Sequence, residues 1–372
     1  MTIGVLKEPP FETRVSLLPE AVASLTTKGH HVLVESGAGQ LAFATDEQYS
    51  GAGAKIVSRN EVFTAAVLLS IQAPADPAAS MKEGAILIGV FQPLFNIDTI
   101  IAWAAAGISC FSLDMLPRTT RAQSMDVLSS QANIAGYKAV LLAAYTYSRY
   151  FPMFMTAAGT IPPAKVLILG AGVAGLQAIA TSRRLGAVVE VFDTRPAVKE
   201  EVMSLGAKFI EVEGAADASK AGGYAVEQDE PFKLKQQQRI AETMAKADIV
   251  ITTAQLPGKP APILITTAMI ESMRTGAVII DLAAATGGNT TLTKNETTVV
   301  HRGVTIIGNS NLPAMMPSDA SKLYGKNVLN FLQLLTGKDN ELVLNWEDDL
   351  VKGSCIMFNK EIIHDRVKAL VI

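Results

Sequence analysis

The chain opens with short apolar runs that alternate with amphipathic stretches, a pattern that predicts strands separated by helices. Ile3–Leu6 and His31–Glu35 are predicted strands, and Leu18–Lys28 is a predicted helix that ends at Gly29. The series continues with three further strand-like runs and one helix: Ala65–Ile71, Ala85–Val90, Gly107–Leu113 and the helix Asp98–Ala106. Alternating strands and helices are typical of a parallel, doubly wound sheet.

A second series of the same kind follows a long helical pattern over 130–149 and a proline-containing, turn-forming stretch at 157–164. Its strand-like runs are 165–170, 187–193, 207–212, 247–253, 276–283 and 303–308. Six such runs are the number found in a complete dinucleotide-binding sheet. The tail returns to a helical pattern over Ser321–Leu335 and ends in a short β-like segment.

These two series predict an α/β protein with two doubly wound, Rossmann-like domains whose sheets are mostly parallel, joined by long helices around a cleft. We expect residues 1–130 and 318–372 to form the N-terminal domain, which the C-terminal tail completes, and residues 131–317 to form the second. The length of 372 residues suits more than one domain.

The interval Glu213–Gln238 interrupts the second series. It is polar and contains Gly214, Gly222 and Gly223, where only a brief connection and a helix are expected. Long loops inside compact domains are uncommon and often cover a binding site. We expect a mobile loop near 213–238; an ordinary surface insertion is the alternative.

Composition narrows the classes of partner. Lysine and arginine number 32 against 35 acidic residues, a net charge of -3, so nucleic acid is not an expected partner. Two cysteines, Cys110 and Cys355, exclude a disulfide scaffold and fit a reducing compartment. His30 and His31 have no further ligand at metal-binding spacing, and we expect no metal. The charged start and the lack of a long apolar stretch predict neither export nor a membrane span.

A glycine fingerprint follows the apolar run at 165–169. Gly170 permits a tight turn, Gly172 lets the backbone approach a pyrophosphate, and Gly175 allows a helix to pack closely on the strand. Ala171 and Val173 complete the turn, and the helix that follows supplies free N–H groups to phosphates. The strand before and the helix after make this motif more specific than its letters alone.

Asp193 ends the next predicted strand, 18 residues after Gly175. A carboxylate there can accept hydrogen bonds from the adenosine ribose and repels a 2′-phosphate, which favours NAD. Arg195 could instead argue for NADP, but Asp193 would still oppose the phosphate. The sequence therefore predicts NAD(H) as the cofactor.

Several strings together closely resemble one family: residues 115–137, 156–187, 193–202, 221–225 and 256–266. They resemble the NAD(H)-binding component, domain I, of proton-translocating NAD(P) transhydrogenase, and the resemblance runs from Ile3 to about Gly353. It implies an enzyme active only with its partner subunits, in which hydride passes directly between NADH and NADP(H) held on a partner, coupled to proton translocation. It also implies a homodimer on the cytoplasmic face of the inner membrane, attached through an NADP-binding subunit and a membrane-spanning subunit.

The resemblance implies site residues as well. Arg118, Gln123 and Asp126 match the loop that holds the nicotinamide end, and Gln123 also reaches across the subunit boundary in that family. The remaining positions that match nucleotide contacts are Ser129, Ala171, Gly172, Val173, Asp193, Thr194, Arg195, Gly223, Tyr224, Gln236, Thr253, Ala254 and Gln255. The family often has leucine at the position of Gln255.

Alanine dehydrogenase is related to this family and is the main competing interpretation. That family supplies a lysine and a histidine in its N-terminal domain, where this chain has Ser70 and Val90. No histidine lies between residues 32 and 300, so amino-acid oxidation would lack its natural proton acceptor. Transhydrogenases often keep a lysine where Ser70 stands, so the chain departs from both relatives there. A third possibility is an NADH-binding regulatory module without a partner.

Overall fold

A computed structural model describes residues 1–74, 81–82, 84–212 and 230–371. The chain folds as two compact units. Residues 1–131 and 314–372 form unit 1, and residues 132–313 form unit 2.

The strands alternate with helices along most of the chain. In chain order the strands are β1 Thr2–Val5, β2 His31–Glu35, β3 Lys55–Val57, β4 Val67–Leu69, β5 Ile86–Gly89, β6 Ser109–Ser112, β7 Phe154–Thr156, β8 Gly159–Ile161, β9 Lys165–Leu169, β10 Val188–Phe192, β11 Lys208–Phe209, β12 Ile249–Thr252, β13 Val278–Asp281, β14 Thr298–His301, β15 Val304–Ile307, β16 Cys355–Phe358 and β17 Glu361–Ile362. The α-helices are α1 Pro19–Thr27, α2 Asp46–Gly51, α3 Arg59–Val62, α4 Ile97–Ala105, α5 Val127–Thr146, α6 Val173–Arg184, α7 Lys199–Ser204, α8 Glu230–Met244, α9 Thr267–Glu271, α10 Pro317–Leu334, α11 Asp349–Ser354 and α12 Asp365–Lys368.

Unit 1 is built on an eight-stranded sheet in the order β17-β16-β6-β5-β4-β1-β2-β3. The six strands from β6 to β3 are parallel, and the tail adds β16 and β17 antiparallel at one edge. β5 and β6 are buried along their whole length, as expected for central strands covered on both faces. Helix α10 packs on this sheet, because Tyr324 and Phe331 share a core with Ile3 and Phe111.

Unit 2 carries a seven-stranded sheet in the order β11-β10-β9-β12-β13-β15-β14. All its pairs are parallel except β14 with β15. This is the doubly wound order, in which the strand sequence reverses direction between β9 and β12. The predicted α/β fold with two doubly wound sheets is confirmed.

Three local features differ from the sequence-based expectation. The strand β14 has no counterpart among the predicted strands: Arg302 and Gly303 both have positive φ, at 46° and 79°, and close a tight hairpin with β15. Such turns are usually marked by Asn-Gly, so Arg-Gly gives no signal. The stretch predicted as a turn at 157–164 includes β8, which pairs with β7 in a separate two-stranded ribbon.

The third difference concerns the predicted loop Glu213–Gln238. Residues 213–229 lie outside the described residues, but 230–238 belong to the beginning of α8, so the loop prediction is wrong there. The buried residues of α8 recur every fourth position: Phe232, Gln236, Ile240 and Met244. That spacing gives a helix one buried face, and the polar composition around it conceals the signal.

Candidate functional site

The glycine turn of unit 2 joins β9 to α6. Gly170 has φ of 104°, a conformation that favours glycine, and Thr253 packs against it so closely that a Cβ would overlap the threonine hydroxyl. A Cβ on Gly175 would overlap the carbonyl oxygen of Gly170. At Gly172, by contrast, a Cβ would meet no atom within 4 Å. Two of the glycines are therefore required by packing, and the third faces open space.

Helix α6 begins directly after this open position. Gly172 is its N-cap residue and offers no side chain to the first N–H groups. Uncapped N–H groups and the positive end of the helix dipole make such a terminus suited to an anion. Together with the open space at Gly172, this arrangement fits a pyrophosphate.

Asp193 follows β10 and lies beside the turn. Its Oδ2 accepts a hydrogen bond from the N–H of Ala171 at 2.7 Å. The guanidinium of Arg195 donates to both carboxylate oxygens, at 2.9 Å from Nε and 2.8 Å from the terminal nitrogen. This hydrogen bonding raises the pKa of Arg195 above its ordinary value. The arginine is thus held by the carboxylate next to it, and Thr194 lies between them in sequence.

The residues after β12 line the other side of the glycine turn. The N–H of Thr253 donates to the carbonyl of Leu169 at 2.9 Å, and its hydroxyl lies 3.2 Å from the carbonyl of Gly170. Ala254 follows, and the amide of Gln255 donates to the carbonyl of Leu282 at 3.1 Å. The structure therefore brings residues 170–175, 193–195 and 253–255 together at the carboxyl ends of β9, β10 and β12. Ligands of doubly wound sheets bind at such a switch point.

Arg118, Asp126 and Ser129 form a hydrogen-bonded cluster in unit 1. The Ser129 hydroxyl donates to Asp126 at 2.6 Å, and its N–H donates to the other carboxylate oxygen at 2.9 Å. Arg118 contacts the same aspartate at 3.5 Å and the serine hydroxyl at 3.3 Å. Gln123 lies on the 3-10 helix Thr120–Met125 between them, with its side chain exposed.

Three of the predicted cofactor residues are placed differently or not at all. Gln236 lies on the buried face of α8, which packs in the core beside β12. Gly223 and Tyr224 lie outside the described residues. Their roles stay predictions.

The sequence did not indicate a buried charged cluster that follows β1 in unit 1. Arg14 donates to Glu12 from Nε at 2.7 Å and from a terminal nitrogen at 2.6 Å, and to Gln131 at 2.8 Å. Glu8 accepts the N–H groups of Ile71 and of its neighbour at 2.6 and 3.0 Å. Burial raises the pKa of Glu8 to about 8. Charged residues directly after a buried strand were the available signal.

Two surveys cover the described residues alone. Within 1–74, 81–82, 84–212 and 230–371, no three His, Cys, Asp or Glu side chains are grouped so that they could bind a metal ion. Over the same ranges, no helix combines the length and apolar character needed to cross a membrane.

Comparison with known proteins places the chain among enzymes of nicotinamide nucleotides. The C-terminal domain of the Alanine dehydrogenase/PNT family matches residues 139–365, and its N-terminal domain matches residues 4–135. An NAD(P) transhydrogenase alpha subunit of Rhodospirillum rubrum is 47% identical over 376 residues, with 98% of each chain covered. The alanine dehydrogenase of Mycolicibacterium smegmatis is 26% identical, covering 95% of this chain and 92% of that one. The crystal structure of transhydrogenase from Sinorhizobium meliloti superposes with a TM-score of 0.86 at 42% identity, covering 98% and 99% of the two chains.

Proposed function

The chain belongs to the Alanine dehydrogenase/PNT family, and from that premise we propose that it is the NAD(H)-binding subunit of a proton-translocating NAD(P) transhydrogenase. The observation that carries the proposal is the turn at Gly172. It combines open space with an uncapped helix terminus, beside a carboxylate fixed at the end of β10. The 47% identity to a transhydrogenase subunit over nearly the whole chain supports this particular member of the family.

The residues of unit 2 fit a bound NAD. Ala171, Gly172 and Val173 would hold the pyrophosphate with backbone N–H groups, and Asp193 would accept hydrogen bonds from the adenosine ribose. Thr194, Arg195 and the segment 253–255 would complete the walls of this site. Because Arg195 is paired with Asp193, its charge is not presented to a 2′-phosphate, which supports NAD(H) over NADP(H).

Arg118, Gln123, Asp126 and Ser129 are proposed to hold the nicotinamide end. The cofactor, when bound, supplies a hydride donor or acceptor, and the protein supplies position. Asp126 and Ser129 hold Arg118 by hydrogen bonds, so its guanidinium is oriented before a nucleotide binds. The exposed amide of Gln123 suits a contact that reaches the partner subunit.

Amino-acid oxidation is supported less well. No histidine lies between residues 32 and 300 to accept a proton. Both carboxylate oxygens of Glu8 already accept backbone N–H groups, and Arg14 is engaged by Glu12 and Gln131. A substrate carboxylate would have to displace these contacts, whose loss inside a protein is costly.

The proposed assembly is a homodimer that binds an NADP-binding subunit and a membrane-spanning subunit, and lies peripherally on the cytoplasmic face of the membrane through them. Unit 2 exposes apolar side chains around the ribbon of β7 and β8, which is exposed along both strands. They are Tyr145, Tyr150, Met153, Phe154, Met155 and Ile161, here called the ribbon patch. Contiguous exposed apolar side chains mark interaction surfaces, and we assign the ribbon patch to the second copy of the chain.

Nucleotide titration of the isolated chain tests this function. We expect NADH to bind and NADPH to bind at least about a hundredfold more weakly, because Asp193 repels a 2′-phosphate. Gln123→Asn should leave NADH affinity within about twofold and slow partner-dependent hydride transfer by about tenfold or more, since a shorter side chain misplaces the contact. Equal affinity for NADPH would contradict the cofactor assignment.

A further inference from the structure

Asn289 is a fully buried residue whose side chain contacts three backbone atoms of a single loop. Its Oδ1 accepts the N–H of Ala254 at 3.0 Å. Its Nδ2 donates to the carbonyl of Ala254 and to the carbonyl of Pro262, both at 2.9 Å. One amide therefore joins the two ends of the loop that lies between these residues.

The backbone of Asn289 is held equally firmly. Its N–H donates at 2.7 Å to Asp281, a fully buried carboxylate that also accepts the hydroxyl of Thr293 at 2.6 Å. Its carbonyl accepts the N–H groups of Leu264 and Ile265 at 2.9 and 3.0 Å. The amide thus projects from a backbone anchored to the end of β13 and cannot shift without breaking these bonds.

The loop that Asn289 closes, residues 255–261, is mostly exposed. Its turn is closed by the N–H of Lys259 on the carbonyl of Leu256 at 3.1 Å, with Gly258 at φ of 75°. Immediately before it, Thr253 bonds to the backbone of Leu169 and Gly170 in the glycine turn. A continuous series of hydrogen bonds therefore runs from Asp281 through Asn289 and the loop to the glycine turn.

We propose that Asn289 is a positioning residue for the nucleotide site: its amide fixes the loop 253–261 against the glycine turn without touching the nucleotide. This inference rests on the proposed function, because it requires that the segment 253–255 forms a wall of an NAD site. A loop fixed before binding loses less conformational freedom when the nucleotide arrives, so preorganisation appears as affinity.

Two substitutions and a matched control test the proposal. Asn289→Ala removes all three bonds. Asn289→Asp keeps the size and the acceptor for the N–H of Ala254, and it removes both donors. The control is Asp248→Ala, because Asp248 is also buried and accepts the N–H of Lys165 at 2.9 Å, at the opposite end of the same sheet. Thermal unfolding and NADH titration are measured for each protein.

We expect Asn289→Ala to weaken NADH binding by about tenfold or more and Asn289→Asp by about threefold to tenfold, since each lost hydrogen bond costs part of the preorganisation. Asp248→Ala should lower the unfolding temperature comparably and leave NADH affinity within about twofold, since its site is remote. If Asn289→Ala does not fold, Asn289→Asp decides the question.

Two results are distinguishable failures. A wild-type chain that binds NADH, with Asn289 variants that are less stable and bind it equally well, would overturn the positioning role and leave the function intact. A wild-type chain that binds no NADH would overturn the proposed function and the positioning role together.

Discussion

At the residue scale, the three glycines of the β9–α6 turn have different roles although they form one motif. Gly170 and Gly175 face protein atoms, whereas Gly172 faces open space. Packing and ligand approach are therefore separable at this turn, and single substitutions can distinguish them.

Gly175→Ala and Gly172→Ala form the first paired prediction. The added methyl at 175 overlaps the carbonyl of Gly170, so we expect a loss of about 1–3 kcal/mol in the free energy of unfolding. At 172 the methyl meets no atom and φ is -77°, so stability should change by less than about 0.5 kcal/mol. NADH affinity should nevertheless fall by about tenfold or more, because the methyl occupies the space proposed for pyrophosphate. Denaturant unfolding and NADH titration measure both; unchanged affinity in Gly172→Ala would remove the pyrophosphate from this turn.

Asp193→Gly should relax the preference for NADH over NADPH. The substitution removes the ribose acceptor and releases the guanidinium of Arg195 from its two hydrogen bonds. We expect NADH to bind about tenfold more weakly and NADPH more tightly, because charged hydrogen bonds contribute roughly 1.5–3 kcal/mol. The control is the double variant Asp193→Gly with Arg195→Ala, which should lose the gain for NADPH. Discrimination that stays unchanged in the single variant would refute the role of Asp193.

Glu8 predicts a pH dependence of stability. Its pKa is about 8 in the folded protein against an ordinary value of 4.5, because burial disfavours the charged form and outweighs two N–H donors. The protonated carboxyl is therefore stabilising below pH about 4.5, and that contribution is lost as pH rises through about 8. The loss is at most about 5 kcal/mol at one pKa unit per ~1.4 kcal/mol.

The comparison protein for this prediction is Glu8→Gln. Its free energy of unfolding should fall less steeply than that of the wild type between pH 5 and 9, as denaturant unfolding at several pH values would show. Burial also raises the pKa of Asp114, and this contributes to the slope in both proteins, so the difference isolates Glu8. Parallel slopes would mean that Glu8 titrates near its ordinary value.

At the element scale, the success of sequence reasoning depended on how local each signal is. The strand, glycine turn and helix at 165–184, and Asp193 after the next strand, follow one another within about thirty residues, and their spacing identifies the unit. Asn289 gave no signal, because its partners Ala254 and Pro262 lie 35 and 27 positions away and only the folded sheet brings them together. The cluster of Glu8, Glu12 and Arg14 was missed for the same reason: its burial depends on strands that are distant in sequence.

The β7–β8 ribbon gives a prediction at this scale. Met155 is 74% exposed within the ribbon patch, and Val300 is a comparably exposed apolar residue on β14, outside it. Met155→Lys should shift the chain from dimer towards monomer in sedimentation analysis, because a lysine at an apolar interface must be desolvated. Val300→Lys is the control and should leave the oligomeric state unchanged. A Met155→Lys chain that stays as dimeric as the wild type would move the interface elsewhere.

At the scale of the whole molecule, the fold is shared by proteins with different activities, so the fold alone does not decide between transhydrogenation and amino-acid oxidation. The distinguishing features are local. The chain offers a nucleotide site in unit 2 and a fixed arginine in unit 1, and its sequence has no histidine between residues 32 and 300. Hydride transfer between two nicotinamides needs close approach and no proton acceptor, which is the chemistry that such a chain can support when a partner supplies the second nucleotide.

The decisive experiment for the proposed function is the reduction of an NAD analogue by NADPH, measured with the isolated chain and again after addition of an NADP-binding transhydrogenase subunit. We predict negligible transfer by the isolated chain and a rate at least about a hundredfold higher with the partner, because proximity of the two rings is the main source of acceleration. Efficient reduction of pyruvate and ammonia by the isolated chain with NADH, and no gain of transfer from the partner, would contradict the proposed function and favour an alanine dehydrogenase.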